Sequence, residues 1–151
     1  MPALEDLTRP DLIYSGLVAT HARGVLRELS EKLEAQGIVD SAETLYRSLM
    51  EREELGSTGI GEGVAIPHCK LEGLSEVVVA IGIAPRGVDF SAVDGKPVRI
   101  FFVVISPAKA PAAHLQCLAS ISRWIKTGSH LEELLAADDP ETVYDLIQKA
   151  S

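Results

Sequence analysis

Arg52, His68 and His114 are the residues whose types and settings could do chemistry in this sequence. His68 follows a glycine-punctuated stretch, Gly56-Ser57-Thr58-Gly59-Ile60-Gly61-Glu62-Gly63, and then the apolar run Val64-Ala65-Ile66-Pro67. A histidine pKa near neutrality makes a neutral, nucleophilic nitrogen available in the cell. Glycines let backbone N–H groups approach or cradle an anion, so Ser57, Thr58, Gly59, Gly61 and Gly63 are candidate phosphate-loop residues. Pro67 fixes its own φ and pushes Ile66 into an extended conformation, which holds the histidine out behind it. His114 falls in the first turn of a helix that opens after Pro111. Free N–H groups and the helix dipole there favour an anion and disfavour a protonated imidazole. Arg52 adds a fixed positive charge and a planar donor fork in the turn before the glycines. Together these suit phosphoryl transfer to histidine, where the protein supplies an in-line nucleophile and positive groups for the equatorial oxygens.

Each of these residues also has a plainer reading. The glycine stretch reads equally as a helix-to-strand turn with Gly56 as the helix C-cap. Arg52 could be an exposed helix residue paired with Glu51 or Glu53, and His114 an amphipathic-helix residue with a satisfied hydrogen bond. Two nucleotide motifs are excluded. Val64 stands where a dinucleotide fingerprint needs its third glycine, the glycines precede a strand instead of following one, and no Gly-Lys-Ser/Thr follows. His68, Cys69, His114 and Cys117 would make a His₂Cys₂ zinc set. Neighbouring residues on a strand point to opposite faces, however, so His68 and Cys69 do not easily share one ion. No metal and no cofactor is expected. A cysteine hydrolase built on Cys69 lacks a nucleophile-elbow or protease signature.

The elements that must position these residues follow from periodicity. Residues 11–17 read as a short strand. Residues 21–36 read as a helix, with Ala22, Val25, Leu26, Leu29 and Leu33 at helical spacing and Gly37 ending it. His21 reads as a surface or capping residue at its start. Asp40 or Ser41 caps a second helix that places Ala42, Leu45, Leu49 and Leu55 on its apolar side and ends at Gly56. Three strands follow, at 64–70, 77–84 and 98–105. The last two are nearly continuous in apolar character, as strands buried on both faces are. The connection 85–97 carries the turn signal Asp94-Gly95. A helix over 112–126 turns Leu115, Leu118, Ala119, Ile121, Ser122 and Ile125 inward or partly inward. Ser129-His130-Leu131-Glu132 is a capping-box pattern opening another helix, and Asp139-Pro140 opens the last. The layout is an α/β (α+β) fold: a single layered domain over residues 1–151, core about 10–149, with a mixed β-sheet flanked by helices on both faces.

Composition narrows the function classes. The 151 residues carry a formal charge of −8, which disfavours a broad nucleic-acid face and suits docking against a basic partner surface. The acidic start, Met1 to Asp6, lacks the basic beginning and apolar core of a signal peptide. No apolar run approaches the roughly 18 residues of a membrane helix. Cys69 and Cys117 are the only cysteines, and both are expected to be reduced thiols in a cytoplasmic protein.

The spaced set Arg52-Glu53, Gly56-Ser57-Thr58-Gly59-Ile60-Gly61, Val64-Ala65-Ile66-Pro67-His68, Val88-Asp89-Phe90, Asp94-Gly95-Lys96-Pro97-Val98 and His114-Leu115 resembles a known family. It is similar to the enzyme IIA domains of the bacterial phosphoenolpyruvate-dependent phosphotransferase system, mannitol/fructose type, over nearly the whole chain. The resemblance implies that His68 is the phosphoacceptor, that His114 is the second active-site histidine, and that Arg52 approaches the phosphoryl group. It implies a phosphoryl-transfer protein with a phosphohistidine intermediate, fed by the small phosphocarrier HPr or its nitrogen-branch paralogue. Transport members pass the group to a IIB domain and on to a sugar. Stand-alone nitrogen-regulatory members bind targets such as potassium transporters or sensor kinases according to phosphorylation state, and this chain looks most like those. A pure interaction module without phosphorylation is the third reading. One departure is Cys69, where the family commonly has glycine.

Overall fold

The computed structural model describes residues 3–126, 130–137 and 139–150. A short helix α1 (Leu4–Leu7) and a 3₁₀ turn (Pro10–Leu12) lead into β1 (Ile13–Tyr14). Two helices follow, α2 (Ala22–Ala35) and α3 (Ala42–Leu55). Then come β2 (Gly59–Gly61), β3 (Val64–Ala65), β4 (His68–Leu71), β5 (Val78–Val88) and β6 (Val98–Pro107). The helices α4 (Pro111–Lys126), α5 (His130–Ala136) and α6 (Pro140–Ala150) complete the order. Among the described residues the strands form one six-stranded mixed sheet in the order β1-β5-β6-β3-β2, with β4 also paired to β6.

β6 is the centre, and its alternation sets the layers. Phe101, Val103 and Ile105 point to the face covered by Leu26, Leu29 and Leu33 of α2 and Leu45 and Leu49 of α3. Ile100, Phe102 and Val104 point to the other face, against Cys117, Ile121 and Trp124 of α4, Leu134 of α5, and Val143 and Ile147 of α6. A strand buried on both faces has no polar side to alternate, which is why β5 and β6 read as continuous apolar runs. Helices cover both faces of a mixed sheet, as the periodicity predicts.

The helix ends are set by local chemistry. The His21 imidazole accepts from Gly24 N–H at 3.2 Å, and Ser41 Oγ accepts from Thr44 N–H at 3.2 Å, each satisfying a first-turn donor for about 1 kcal/mol. Asp139 does the same for Thr142 at 2.8 Å, ahead of Pro140 at the first position of α6. Gly56 ends α3 at φ 155°, where a side chain would be strained. His130 sits with its ring 5.0 Å from Trp124, and the proposed cap Ser129 lies outside the described residues.

Several local expectations change. Residues 11–17 give only the two-residue β1, because Pro10 starts a 3₁₀ turn that holds Asp11 and Leu12. The strand at 64–70 is broken into β3 and β4. Pro67 has no N–H for the ladder, while its carbonyl still accepts from Val104 N–H at 2.9 Å. The glycine stretch contains β2, which pairs antiparallel with β3; glycine's low strand propensity hides it in the sequence. Leu55 is 85 % exposed and Leu115 is 66 % exposed, so neither belongs to the core. Ala119 is also exposed, and the buried stripe of α4 is His114, Cys117, Ile121 and Trp124.

Candidate active site

The break at Pro67 does more than interrupt a strand. It turns the Ile66 carbonyl back beneath the His68 ring, 2.7 Å from Nδ1. A carbonyl oxygen only accepts, so in the neutral ring Nδ1 carries the proton and Nε2 carries the lone pair. Arg52 Nε–H donates to that lone pair at 3.2 Å, and Arg52 Nη1 donates to the Gly56 carbonyl at 2.8 Å. The guanidinium is thereby held between the end of its own helix and the imidazole. Among the described residues it forms no salt bridge to a carboxylate, and the paired-surface reading of Arg52 gives way to this contact.

β4 lies beside β6 with His68 opposite Val104, the side of the sheet that α4 covers. His114, one helical turn into α4, reaches the same place. The two imidazole centroids are 5.4 Å apart with planes tilted by 52°. His114 Nδ1 lies 2.6 Å from Ser106 Oγ, a wholly buried hydroxyl on β6. An open cavity of about 410 Å³ is lined by Ser48, Glu51, Arg52, Leu55, His68, Cys69, Lys70 and His114. The structure thus brings together Arg52, His68 and His114, which lie far apart in sequence.

Burial lowers the His68 pKa, outweighing the Ile66 hydrogen bond that raises it, and the charges of Arg52 and Lys70 lower it further. Burial lowers His114 to about 4, and His68 and Lys70 add to the effect. Both rings are therefore shifted toward the neutral form, His114 the more clearly. One offers a lone pair and the other a single N–H, in a cavity whose charged lining is Glu51, Arg52 and Lys70.

The glycine loop is arranged differently from an anion cradle. None of residues 57–63 lines the cavity. Thr58 N–H donates to Glu53 at 3.1 Å, and the Thr58 hydroxyl donates to the same carboxylate. Gly59 N–H donates to Ser57 Oγ at 3.0 Å, and Glu62 N–H donates to Asp94 at 3.0 Å. Gly59 is needed for close approach, since a Cβ there would stand 2.9 Å from Ala92 Cα. A Cβ on Gly61 would face the Asp94 carboxylate, and the Gly63 carbonyl accepts from Arg99 and Ile100 N–H. The loop clamps the end of α3, and with it Arg52. Burial raises the Glu53 pKa against the Thr58 hydrogen bonds that lower it.

The two cysteines pack on opposite faces of the sheet, although Cys69 also reaches the cavity lining. Cys69 packs among the residues under α2 and α3, whereas Cys117 packs on the α4 side. Burial pushes Cys69 up to about 12 and Cys117 up to about 11, so neither is a thiolate nucleophile. The His₂Cys₂ set is accordingly divided between the two faces of the sheet. Lys70, Leu55 and Ser106 are site residues that sequence reasoning did not pick out. Lys70 had a signal, being two residues along the strand from His68 on the same side. Leu55 lies one turn beyond Arg52. Ser106 had none, because only the pairing of β4 with β6, Lys70 opposite Ser106, places it there.

Comparison with known proteins identifies the family. Residues 6–150 match the family model of the phosphoenolpyruvate-dependent sugar phosphotransferase system, EIIA 2. The chain belongs to this EIIA family. A nitrogen regulatory protein from Bradyrhizobium diazoefficiens is 33 % identical over 144 residues, covering 95 % of this chain and 94 % of that protein. A fructose-specific EIIA component from Haloferax volcanii is 37 % identical over 111 residues, covering 74 % and 72 % respectively. The crystal structure of nitrogen regulatory protein IIA-Ntr from Neisseria meningitidis superposes with a TM-score of 0.86 at 28 % identity, covering 95 % of this chain and 98 % of that one. The EIIA fold and a part in phosphoryl transfer follow from membership. No helix among the described residues is long and apolar enough to cross a membrane.

Proposed function

We propose that this EIIA protein carries a phosphoryl group on His68 Nε2 and regulates partners through its phosphorylation state. The donor is an HPr-type phosphocarrier. The observation that carries this reading is the His68 ring itself: Nδ1–H fixed on the Ile66 carbonyl, and a lone pair at Nε2 beside Arg52. In transfer, the Nε2 lone pair forms a new N–P bond as the donor's N–P bond breaks and its electron pair returns to the donor ring. The Nδ1 proton stays in place, and the Ile66 carbonyl accepts its stronger hydrogen bond as positive charge develops on the ring. Arg52 moves its Nε–H from the lone pair to the phosphoryl oxygens, with His114 N–H and the Lys70 ammonium completing the positive surround.

Phosphorylation adds about −1.5 to −2 charges at a cavity lined in part by the exposed Leu55. A partner that docks there meets a different surface in each state, which is the basis for regulation of a potassium transporter or sensor kinase. The nitrogen-regulatory branch is supported by relatives that align along nearly their whole length. The second reading, a sugar-type IIA that hands the group to a IIB domain, is favoured by the similarity to the Haloferax fructose component.

Intact-mass analysis after incubation with phosphoenolpyruvate, enzyme I and an HPr-type donor tests the carrier step. An acid-labile gain of one phosphate is expected, and it disappears in His68→Ala. Persistence of the gain in that variant removes His68 as acceptor. No gain in the wild type with cognate donors favours an unphosphorylated interaction module.

A further inference from the structure

We propose that Ser106 is a positioning residue for His114: its hydroxyl donates to Nδ1 and holds the neutral ring as the Nε2–H tautomer. The inference rests on the carrier reading above and adds a component to it. A neutral imidazole carries one N–H, on either nitrogen, and the hydrogen bond at one nitrogen decides which. His114 stays neutral near neutral pH, since burial holds its pKa at about 4. The position of that single proton therefore decides what His114 shows to a phosphoryl group on His68. With Nε2–H it offers a donor. With Nδ1–H it would turn a lone pair toward a dianion.

Ser106 settles the choice. Its Oγ is 2.6 Å from Nδ1 and is wholly buried on β6. A buried hydroxyl proton without an acceptor is costly, and Nδ1 is the acceptor within reach. Were Nδ1 the donor instead, the hydroxyl proton would lose that acceptor. The charged and titratable side chains sharing the cavity with His114 are His68, Arg52, Cys69, Lys70 and Glu51. None of them is placed on Nδ1. The serine thus leaves Nε2 as the protonated nitrogen on the side of the ring away from β6.

The test is a long-range ¹⁵N–¹H correlation spectrum of uniformly ¹⁵N-labelled protein near neutral pH. It separates protonated from lone-pair ring nitrogens. Wild-type His114 is expected as a single Nε2–H tautomer, and an Nδ1–H pattern overturns the proposal without any variant. Ser106→Ala is expected to give mixed-tautomer shifts and to slow phosphoryl transfer to His68 about tenfold, the size of one charge-assisted hydrogen bond. Ser106→Thr keeps the hydroxyl and restores both. A Ser106→Ala protein with the wild-type spectrum and rate sinks the proposal, with the melting curve confirming that each variant is folded. Failure of the carrier reading is seen separately, as phosphorylation that survives His68→Ala, while the tautomer measurement on unphosphorylated protein still stands.

Discussion

Acid should destabilise this protein through His114, by an amount that can be worked out. The residue is 5 % exposed and its pKa is lowered to about 4, against 6.5 for an ordinary histidine. Well above pH 6.5 the residue is neutral in both folded and unfolded chains and contributes no pH dependence. As pH falls below that, the unfolded chain binds a proton that the folded chain refuses, so stability is lost until pH falls through about 4. Between about pH 7 and about pH 5 the full loss is about 2 kcal/mol. The ring borders an open cavity, water screens part of the interaction, and about 1 kcal/mol is expected. Urea unfolding of wild type and His114→Gln at the two pH values isolates this term, because every other titrating group cancels in the difference. Wild type should lose about 1 kcal/mol more than the variant on acidification. Parallel losses in the two proteins, within about 0.3 kcal/mol, would refute the claim that burial keeps this imidazole neutral.

Other perturbations read other parts of the site. Arg52→Lys removes the fork that reaches both His68 and Gly56 and should slow phosphoryl transfer about 10- to 100-fold, measured by rapid-quench phosphorylation, with little change in melting temperature. The lowered His68 pKa predicts that transfer stays on its plateau as pH falls through the ordinary histidine range and declines only at more acidic pH, visible as a rate–pH profile under saturating donor. Gly59→Ala drives a Cβ to 2.9 Å from the Ala92 backbone and should cost about 1–3 kcal/mol in denaturant unfolding. Leu55→Asp removes an exposed leucine that lines the cavity; folding stability should hold, while KM for the donor rises.

Much of the layered fold was legible because burial patterns are periodic. The apolar spacing of α2, the caps at His21 and Ser41, and the two-faced burial of β5 and β6 all follow from residue type and order. Element edges were less legible where two local tendencies compete. Pro67 and the glycines of β2 conceal a strand break and a hairpin that depend on partners elsewhere in the chain. Leu55 and Leu115 sit at helical positions compatible with the core, yet both stand largely exposed.

The sequence alone determined the chemistry available: an imidazole behind a proline, a second at a helix start, and an arginine before a glycine turn. It could not decide what those groups do to each other. That Nε2 of His68 holds the lone pair depends on where Pro67 sends one carbonyl. That Arg52 faces this nitrogen depends on α3 ending beside β4, with Glu53 and Thr58 clamping the turn. That His114 is neutral depends on α4 closing over the β6 face, next to Ser106. Residue types are local properties, whereas protonation state and direction are set by neighbours remote in sequence, and only the packed sheet brings those neighbours together.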